Sequence, residues 1–437
     1  MRDIPLLLVL VALVPFVISR PYIGVLLWGW AALFMPNFFV YGIASSVRFN
    51  MIIAILTAIS YFCSRESKAL PANSVTILLF VFLLHGTISA FSTIAFEPMV
   101  MGEWGKFIKV IIYTLAILAV INSRHRIHSL LIVFVLSLGF HGILEGSKFL
   151  LTFGAHRVWG PVGSIIGDNN HLALAMVMLL PVVAYLCKYS EKQIVRISFM
   201  VVFGLLLTAV LGTYSRGGLI GLTTILFLLA LRSEKRVLII FVIAPLTLVM
   251  AMSFLPDAWF SRMDTIQSAD EDASFMGRVI AWKMSALIAM DHPFFGGGFH
   301  AVQDNAVWFD YMQVFSRLSY IPTPDPDPIM AHAAHSIYFQ VLGDQGFLGL
   351  FIFLLLLFCA MNNLRKTMIL TKKKPEYAWA YDLALVLNMS LLAYMVTGAA
   401  LGMAYFDFAY ALIAISVVLL SVIKAGVVEK KESWLQK

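Results

Sequence analysis

Unbroken apolar runs, rather than alternating apolar and polar positions, dominate this chain. Thirteen of them read as apolar helices, near residues 4–19, 21–36, 50–63, 74–94, 107–121, 129–147, 170–187, 197–213, 217–231, 237–255, 336–361, 380–403 and 406–423. A helix that crosses the hydrocarbon core takes about 20 residues. The first two runs fall short of that and are parted by Arg20-Pro21. They read as a hairpin or as one tilted, interrupted crossing, and the apolar run that restarts after Arg20 argues against a cleaved leader. The pattern predicts an all-α polytopic integral membrane protein of about 12 transmembrane helices. An outer-membrane barrel is excluded, because its strands alternate lipid-facing and inward residues.

Composition agrees. Of 437 residues, 61% are apolar and 13% charged, and a soluble domain built so would lack polar cover for its surface. The net charge of +7 reads as cytoplasmic anchoring, with no nucleic-acid partner. With the C-terminal tail inside and the loops alternating, nineteen of the 31 Lys and Arg fall on the inner side and ten on the outer. Cys63, Cys187 and Cys359 lie in or beside apolar runs and show neither metal-ligand nor disulfide spacing.

The polar residues concentrate in one place. Residues 1–255 carry the N-terminal helices, 256–335 form a large outer loop, and 336–437 hold the C-terminal helices and tail. The loop has ten carboxylates, four Lys or Arg, four histidines and the three tryptophans Trp259, Trp282 and Trp308. It is too aromatic for a disordered linker, and its length suggests function. The spacing of Ile280, Met284, Leu287 and Ile288 predicts a short helix over 277–290, ended by Asp291-His292-Pro293. Gly296-Gly297-Gly298 reads as a flexible turn.

Four outer-face residues invite chemistry: Arg157, Arg216, Arg278 and His335. Arg216 precedes Gly217-Gly218 at a hinge, where glycines admit a ligand and the next helix offers free N–H groups to an anion. A snorkelling interfacial arginine is the alternative. Arg278 would grip a phosphate or pair with Asp270-Glu271-Asp272. Arg157 lies ahead of Asp168-Asn169-Asn170-His171, where Asp168 and Asn169 either cap a helix or meet a ligand beside Arg157. His335 starts the helix leaving the loop, and a helix N-terminus disfavours imidazolium, which suits a general base. A histidine bonded to the loop is the alternative. His332, three residues earlier, would form a metal pair only with further ligands that the spacing does not supply, so no metal is expected. Trp282 is a supporting candidate, and the loop aromatics, Trp282 and Trp308, would stack on sugars. Asp344, inside an apolar run, either orients a catalytic group or satisfies a neighbouring helix. A transporter, the rival class, would show paired broken helices and midplane charges. Here the intramembrane charges are only Glu145, Asp344, Asp382 and Asp407.

Taken in order, these residues resemble the O-antigen ligase superfamily, which includes O-antigen polymerases and protein O-oligosaccharide ligases. Within it the chain looks most like the exosortase A-associated O-glycosylation ligases. The resemblance rests on Arg20-Pro21-Tyr22-Ile23-Gly24, Arg157-Val158-Trp159-Gly160-Pro161 with Asp168-Asn169-Asn170, Arg262-Met263-Asp264-Thr265-Ile266, Met276-Gly277-Arg278 with Ala281-Trp282, Gly296–Gly298, and Ala334-His335-Ser336-Ile337-Tyr338. It implies about twelve helices in the bacterial inner membrane, both ends cytoplasmic, with the large loop and the active site facing the periplasm. It also implies a metal- and cofactor-independent transfer of a glycan from undecaprenyl diphosphate to a sugar hydroxyl of lipid A–core, with a growing glycan or a protein hydroxyl as the alternative acceptor. The family's functional arginines and loop histidine map onto Arg216, Arg278 and His335, and more loosely onto Arg157. Fixed guanidiniums would stabilise the departing diphosphate, a base would take the acceptor's proton, and a single displacement would invert the anomeric centre.

Overall fold

The computed structural model describes residues 3–66, 68–232 and 273–435. Every regular element among the described residues is helical. The N-terminal part runs α1 (Asp3–Ser19), α2 (Pro21–Phe34), α3 (Ile43–Ser46), α4 (Phe49–Cys63), α5 (Ser74–Phe91), α6 (Glu97–Val120), α7 (Arg124–Leu151), α8 (Asn169–Tyr189), α9 (Gln193–Gly212) and α10 (Arg216–Arg232). The remainder has α11 (Ala273–Asp291), α12 (Asn305–Met312), α13 (Ile337–Thr371), α14 (Ala378–Gly398) and α15 (Asp407–Leu435).

Seven described helices, α5, α7, α8, α9, α13, α14 and α15, are long and apolar enough to cross a membrane, while α1, α2, α4 and α10 are apolar but shorter. The first two runs are separate helices. Arg20 leaves helical geometry at φ −144°, and Pro21 opens α2, where its missing N–H leaves no bond unmade. The expected run at 237–255, with Trp259, Arg262 and Asp270-Glu271-Asp272, lies outside the described residues. The run expected at 380–403 stops at Gly398, where a turn of small residues begins.

Side-chain caps fix several helix starts. Asn73, Asp168 and Asp304 each accept a backbone N–H at the mouths of α5, α8 and α12. Two helices lie innermost. α8 is packed by α7, α9, α10 and α14, and α13 by α5, α11, α14 and α15. Residues Leu172 to Leu180 of α8 are almost wholly buried. This burial makes the N-terminal ends of α8 and α13 rigid places from which to present polar groups.

The segment 273–335 between α10 and α13 has a small core of its own. Ile280, Met284, Leu287 and Ile288 of α11, the positions whose spacing predicts the helix, pack on Val307, Trp308, Tyr311, Phe315 and Leu318. Lys283 is buried among them. Its Nζ donates to the Ile321 carbonyl at 3.2 Å and Thr323 Oγ1 at 2.9 Å, and lies 3.9 Å from the centre of the Phe315 ring. Burial holds this ammonium below the usual lysine range.

The Gly296–Gly298 turn is pinned, contrary to the flexibility its sequence suggests. Gly297 N donates to the Gly343 carbonyl at 2.9 Å and Gly298 N to that of Asp344 at 3.0 Å. These carbonyls are available because α13 breaks at Gly346, where φ is 70° and ψ −172°, a conformation open essentially only to glycine. A Cβ on Gly296 would stand 2.5 Å from Gly346 N, so the close approach of the two segments also requires glycine there.

Candidate active site

Three stretches meet at the N-terminal ends of α8, α10 and α13. The first is the Asp168–His171 tetrad. Asp168 Oδ1 accepts from Asn170 N at 2.8 Å, so its capping role is what the geometry shows. Buried Asn169 uses Nδ2 to hold the Thr213 carbonyl at 2.7 Å, and Asn170 Oδ1 accepts from Ser215 Oγ at 2.7 Å. Ser215 Oγ in turn caps α10 by accepting from Gly218 N at 3.0 Å. The mouths of α8 and α10 are thereby tied together, and Arg216 takes the first position of α10.

The second stretch is the loop before α8. Val158 N donates to the Gly212 carbonyl at 2.8 Å, and Tyr214 Oη donates to that of Gly154 at 3.1 Å. This carries Arg157 to the same corner. Its guanidinium lies 4.8 Å from the centre of the Trp159 ring and 5.8 Å from that of Tyr214.

His335 lies in the third stretch, immediately before the Ser336 cap of α13. Its φ of 43° is left-handed, a conformation that costs a non-glycine residue about 1–3 kcal/mol and persists only where surrounding structure imposes it. Part of the imposing structure is visible. The Trp282 indole donates to the Ala334 carbonyl at 2.6 Å and stacks on Phe339 with ring centres 5.1 Å apart and planes 7° apart. Trp282 therefore clamps both sides of His335 in the chain. Arg278 lies one turn before Trp282 on α11, on the same helical face.

His335 is exposed at the rim, yet the surrounding protein disfavours its charge. Desolvation by the protein packed around the ring, then the positive charge of Arg278, then His171 push its pKa down to about 4; Asp168 opposes them and His332 adds to them weakly. The sequence attributed a neutral imidazole to the helix N-terminus. The structure assigns it first to desolvation and to Arg278. The same interactions establish that Arg278, His171 and Asp168 are electrostatic neighbours of His335.

The link from α10 to His335 runs through the end of α14. Gly221 approaches Thr397 so closely that a Cβ would collide with it, and a Cβ on Gly398 would meet Ile337 at 2.9 Å. A Cβ on Gly402 would stand 3.9 Å from His335 Cα. Gly398 leaves room for Ile337 at the mouth of α13.

Buried polar atoms without a hydrogen-bond partner in the protein gather here too. Among the described residues they are Arg157 Nε, Ser164 Oγ, His171 Nε2, Ser336 Oγ, Thr397 Oγ1 and Tyr410 Oη. All but Tyr410 belong to the stretches just described. Partnerless buried polar atoms are rare in proteins and call for a specific reason. His171, Ser336 and Thr397 escape a reading of the sequence for reactive residues. The one signal for His171 is its place in a polar tetrad that opens an apolar helix.

Two expectations change. His332 packs edge-on against Trp308 with ring centres 5.7 Å apart, within the core of the 273–335 segment. Trp308 is 2% exposed and donates its N–H to the Asp327 carbonyl at 2.9 Å, so it is a core residue with no face for a sugar. Trp282 has one face covered by Phe339 and acts on the position of His335.

Residues 199–354 match the O-antigen ligase family, and residues 1–191 match a family of unknown function (DUF5935). No curated protein matches the chain. Arg216, Arg278, Trp282 and His335 fall in the first match; Arg157, Asp168, Asn169 and His171 fall in the second. The gathered residues are thus drawn from both matched segments of a chain with several membrane-length apolar helices, and the match over residues 199–354 supports its membership of the O-antigen ligase superfamily.

Proposed function

We propose that this protein is an O-antigen ligase that transfers a glycan from undecaprenyl diphosphate to a sugar hydroxyl of lipid A–core on the periplasmic face of the bacterial inner membrane. The observation that carries the reading is His335, clamped by Trp282 and facing the positive charge of Arg278. A neutral, exposed imidazole can accept a proton from an incoming hydroxyl. Arg216, Arg278 and Arg157 hold the diphosphate, whose charge grows as the glycosidic bond breaks. Their guanidiniums present forked donors that match phosphate oxygens. Attack and departure occur on opposite faces of the sugar, so the anomeric centre inverts, and no metal takes part. Asp168 caps α8, Asn169 and Asn170 hold its mouth against the turn that opens α10, and Trp282 positions the base. Residues 273–335 lie on the periplasmic side of the site in this reading.

Reconstitution in liposomes with undecaprenyl-diphosphate glycan, lipid A–core and a chelator tests this. Glycan attached to lipid A–core in one step, and lost in Arg216→Ala, is the expected product. A ladder of longer chains on the carrier would make the enzyme a polymerase, and transfer only to an added protein would make it a protein ligase. Movement of the lipid-linked glycan without any new bond would support a transporter.

A further inference from the structure

A cavity of about 340 Å³ lies beside the Arg157 loop, within the range of about 300–1,000 Å³ usual for small-molecule sites. Its lining includes Glu145 and Lys148 from the C-terminal end of α7, Phe39 from the turn after α2, and Trp159 with Pro161. All of these belong to the segment that matches a family of unknown function. The diphosphate reading uses none of them.

Their arrangement specifies a ligand chemistry. Trp159 is 44% exposed, lines the cavity and carries the Arg157 guanidinium 4.8 Å from its ring centre. Glu145 is fixed by two partners, Lys148 Nζ at 2.6 Å and His156 Nε2 at 2.7 Å, with 13% of its side chain exposed. Each carboxylate oxygen keeps a lone pair for a hydroxyl, and the ammonium keeps N–H groups to give. Glu145 already balances the nearby positive charge, so a phosphate entering the cavity would meet a carboxylate. A neutral ring with hydroxyls on its edge and C–H groups on its face meets a partner at every surface: an aromatic plane, a fixed acceptor and a donor. Gly160, next to Trp159, packs so closely on the Ile166 carbonyl that a Cβ there would collide with it.

We propose that this cavity is a saccharide subsite that holds one pyranose ring, with Trp159 as the stacking surface and Glu145 as the hydroxyl acceptor. Trp159 then joins the ring to the arginine that holds the diphosphate. Which substrate supplies the ring rests on the transfer reaction proposed above; the binding itself does not.

Saturation-transfer NMR on the full-length protein in nanodiscs provides the test. Two soluble probes are used: the glycan released from its carrier, and the core oligosaccharide released from lipid A. The expected result is a signal from one probe that falls about tenfold in Glu145→Gln and in Trp159→Ala, with Trp159→Phe keeping most of it. The probe that gives the signal identifies the source of the ring. Thermal melts establish that the variants are folded. Equal signals in parent and variants would overturn the subsite, as would no signal from either probe. Displacement of the saccharide by inorganic phosphate would reassign the cavity to anions and overturn it as well. Repeating the binding in His335→Ala separates the two readings: retained binding supports the subsite even if transfer fails. Transfer with an unchanged KM for both substrates in Trp159→Ala would count against it.

Discussion

The two polar places on α13 differ in how far their groups are satisfied. At the break near Gly346 almost every group is paired. Asp344 Oδ1 accepts from His300 N at 2.8 Å and Oδ2 from Tyr405 Oη at 3.0 Å, while its carbonyl accepts from Gly298 N and Ser89 Oγ. Gln345 donates to Tyr405 Oη at 2.9 Å and meets His85 Nδ1 at 3.1 Å. At the mouth of the same helix, Ser336 Oγ, His171 Nε2 and Thr397 Oγ1 are buried without protein partners, and His335 holds a left-handed backbone. A satisfied buried network rigidifies, and a half-satisfied one is costly unless something else uses it. The comparison separates a fully bonded carboxylate, Asp344, from the candidate base His335 nine residues earlier in the chain.

Variants can break or sharpen this contrast. Arg278→Ala should lower kcat by about 10²–10³, the usual cost of removing one stabiliser of developing charge, with folded yield unchanged. Arg278→Gln should also move the acid limb of the rate profile. A base must be neutral to accept a proton, and His335 is held down to about 4, partly by Arg278. The parent rate should therefore stay level from about pH 8 to pH 5 and fall as the pH drops through about 4. In Arg278→Gln the fall should begin at higher pH, toward the ordinary histidine value. Trp282→Phe, which loses the bond to Ala334, should reduce kcat about tenfold, with the KM for both substrates nearly constant and the acid limb altered. Gly346→Ala acts on the other place. Its cost of about 1–3 kcal/mol should appear as a lower melting temperature in detergent, while the folded fraction keeps its kcat. His332→Ala, which touches the Trp308 core, should change kcat by no more than about twofold.

Much of this was legible in the sequence, and what was not has identifiable causes. Helices announce themselves by uninterrupted apolar length, so α7, α8 and α9 fall where the runs do. The end of α11 at Asp291 follows from Pro293. Arg216, Arg278 and His335 are marked by charge or titratable nitrogen beside an apolar run. Clamps carry no such mark. Trp282 reads as a sugar platform until the Ala334 carbonyl is seen beneath its N–H, and Trp308 until its burial is known. The pinning of Gly296–Gly298 depends on the break at Gly346, a residue about fifty positions away in the chain. Pairings across that distance leave no periodicity to read.

One measurement bears most directly on the contrast: kcat per folded molecule for His335→Gln and Asp344→Asn, side by side in the reconstituted transfer reaction. His335→Gln should lose about 10²–10⁴ in kcat with its KM for the lipid-linked glycan kept, the usual contribution of a general base. Asp344→Asn should lower folded yield and leave the kcat of the folded fraction within about threefold. Equal or greater loss of kcat in Asp344→Asn, or a His335→Gln enzyme as fast as its parent, would contradict the account.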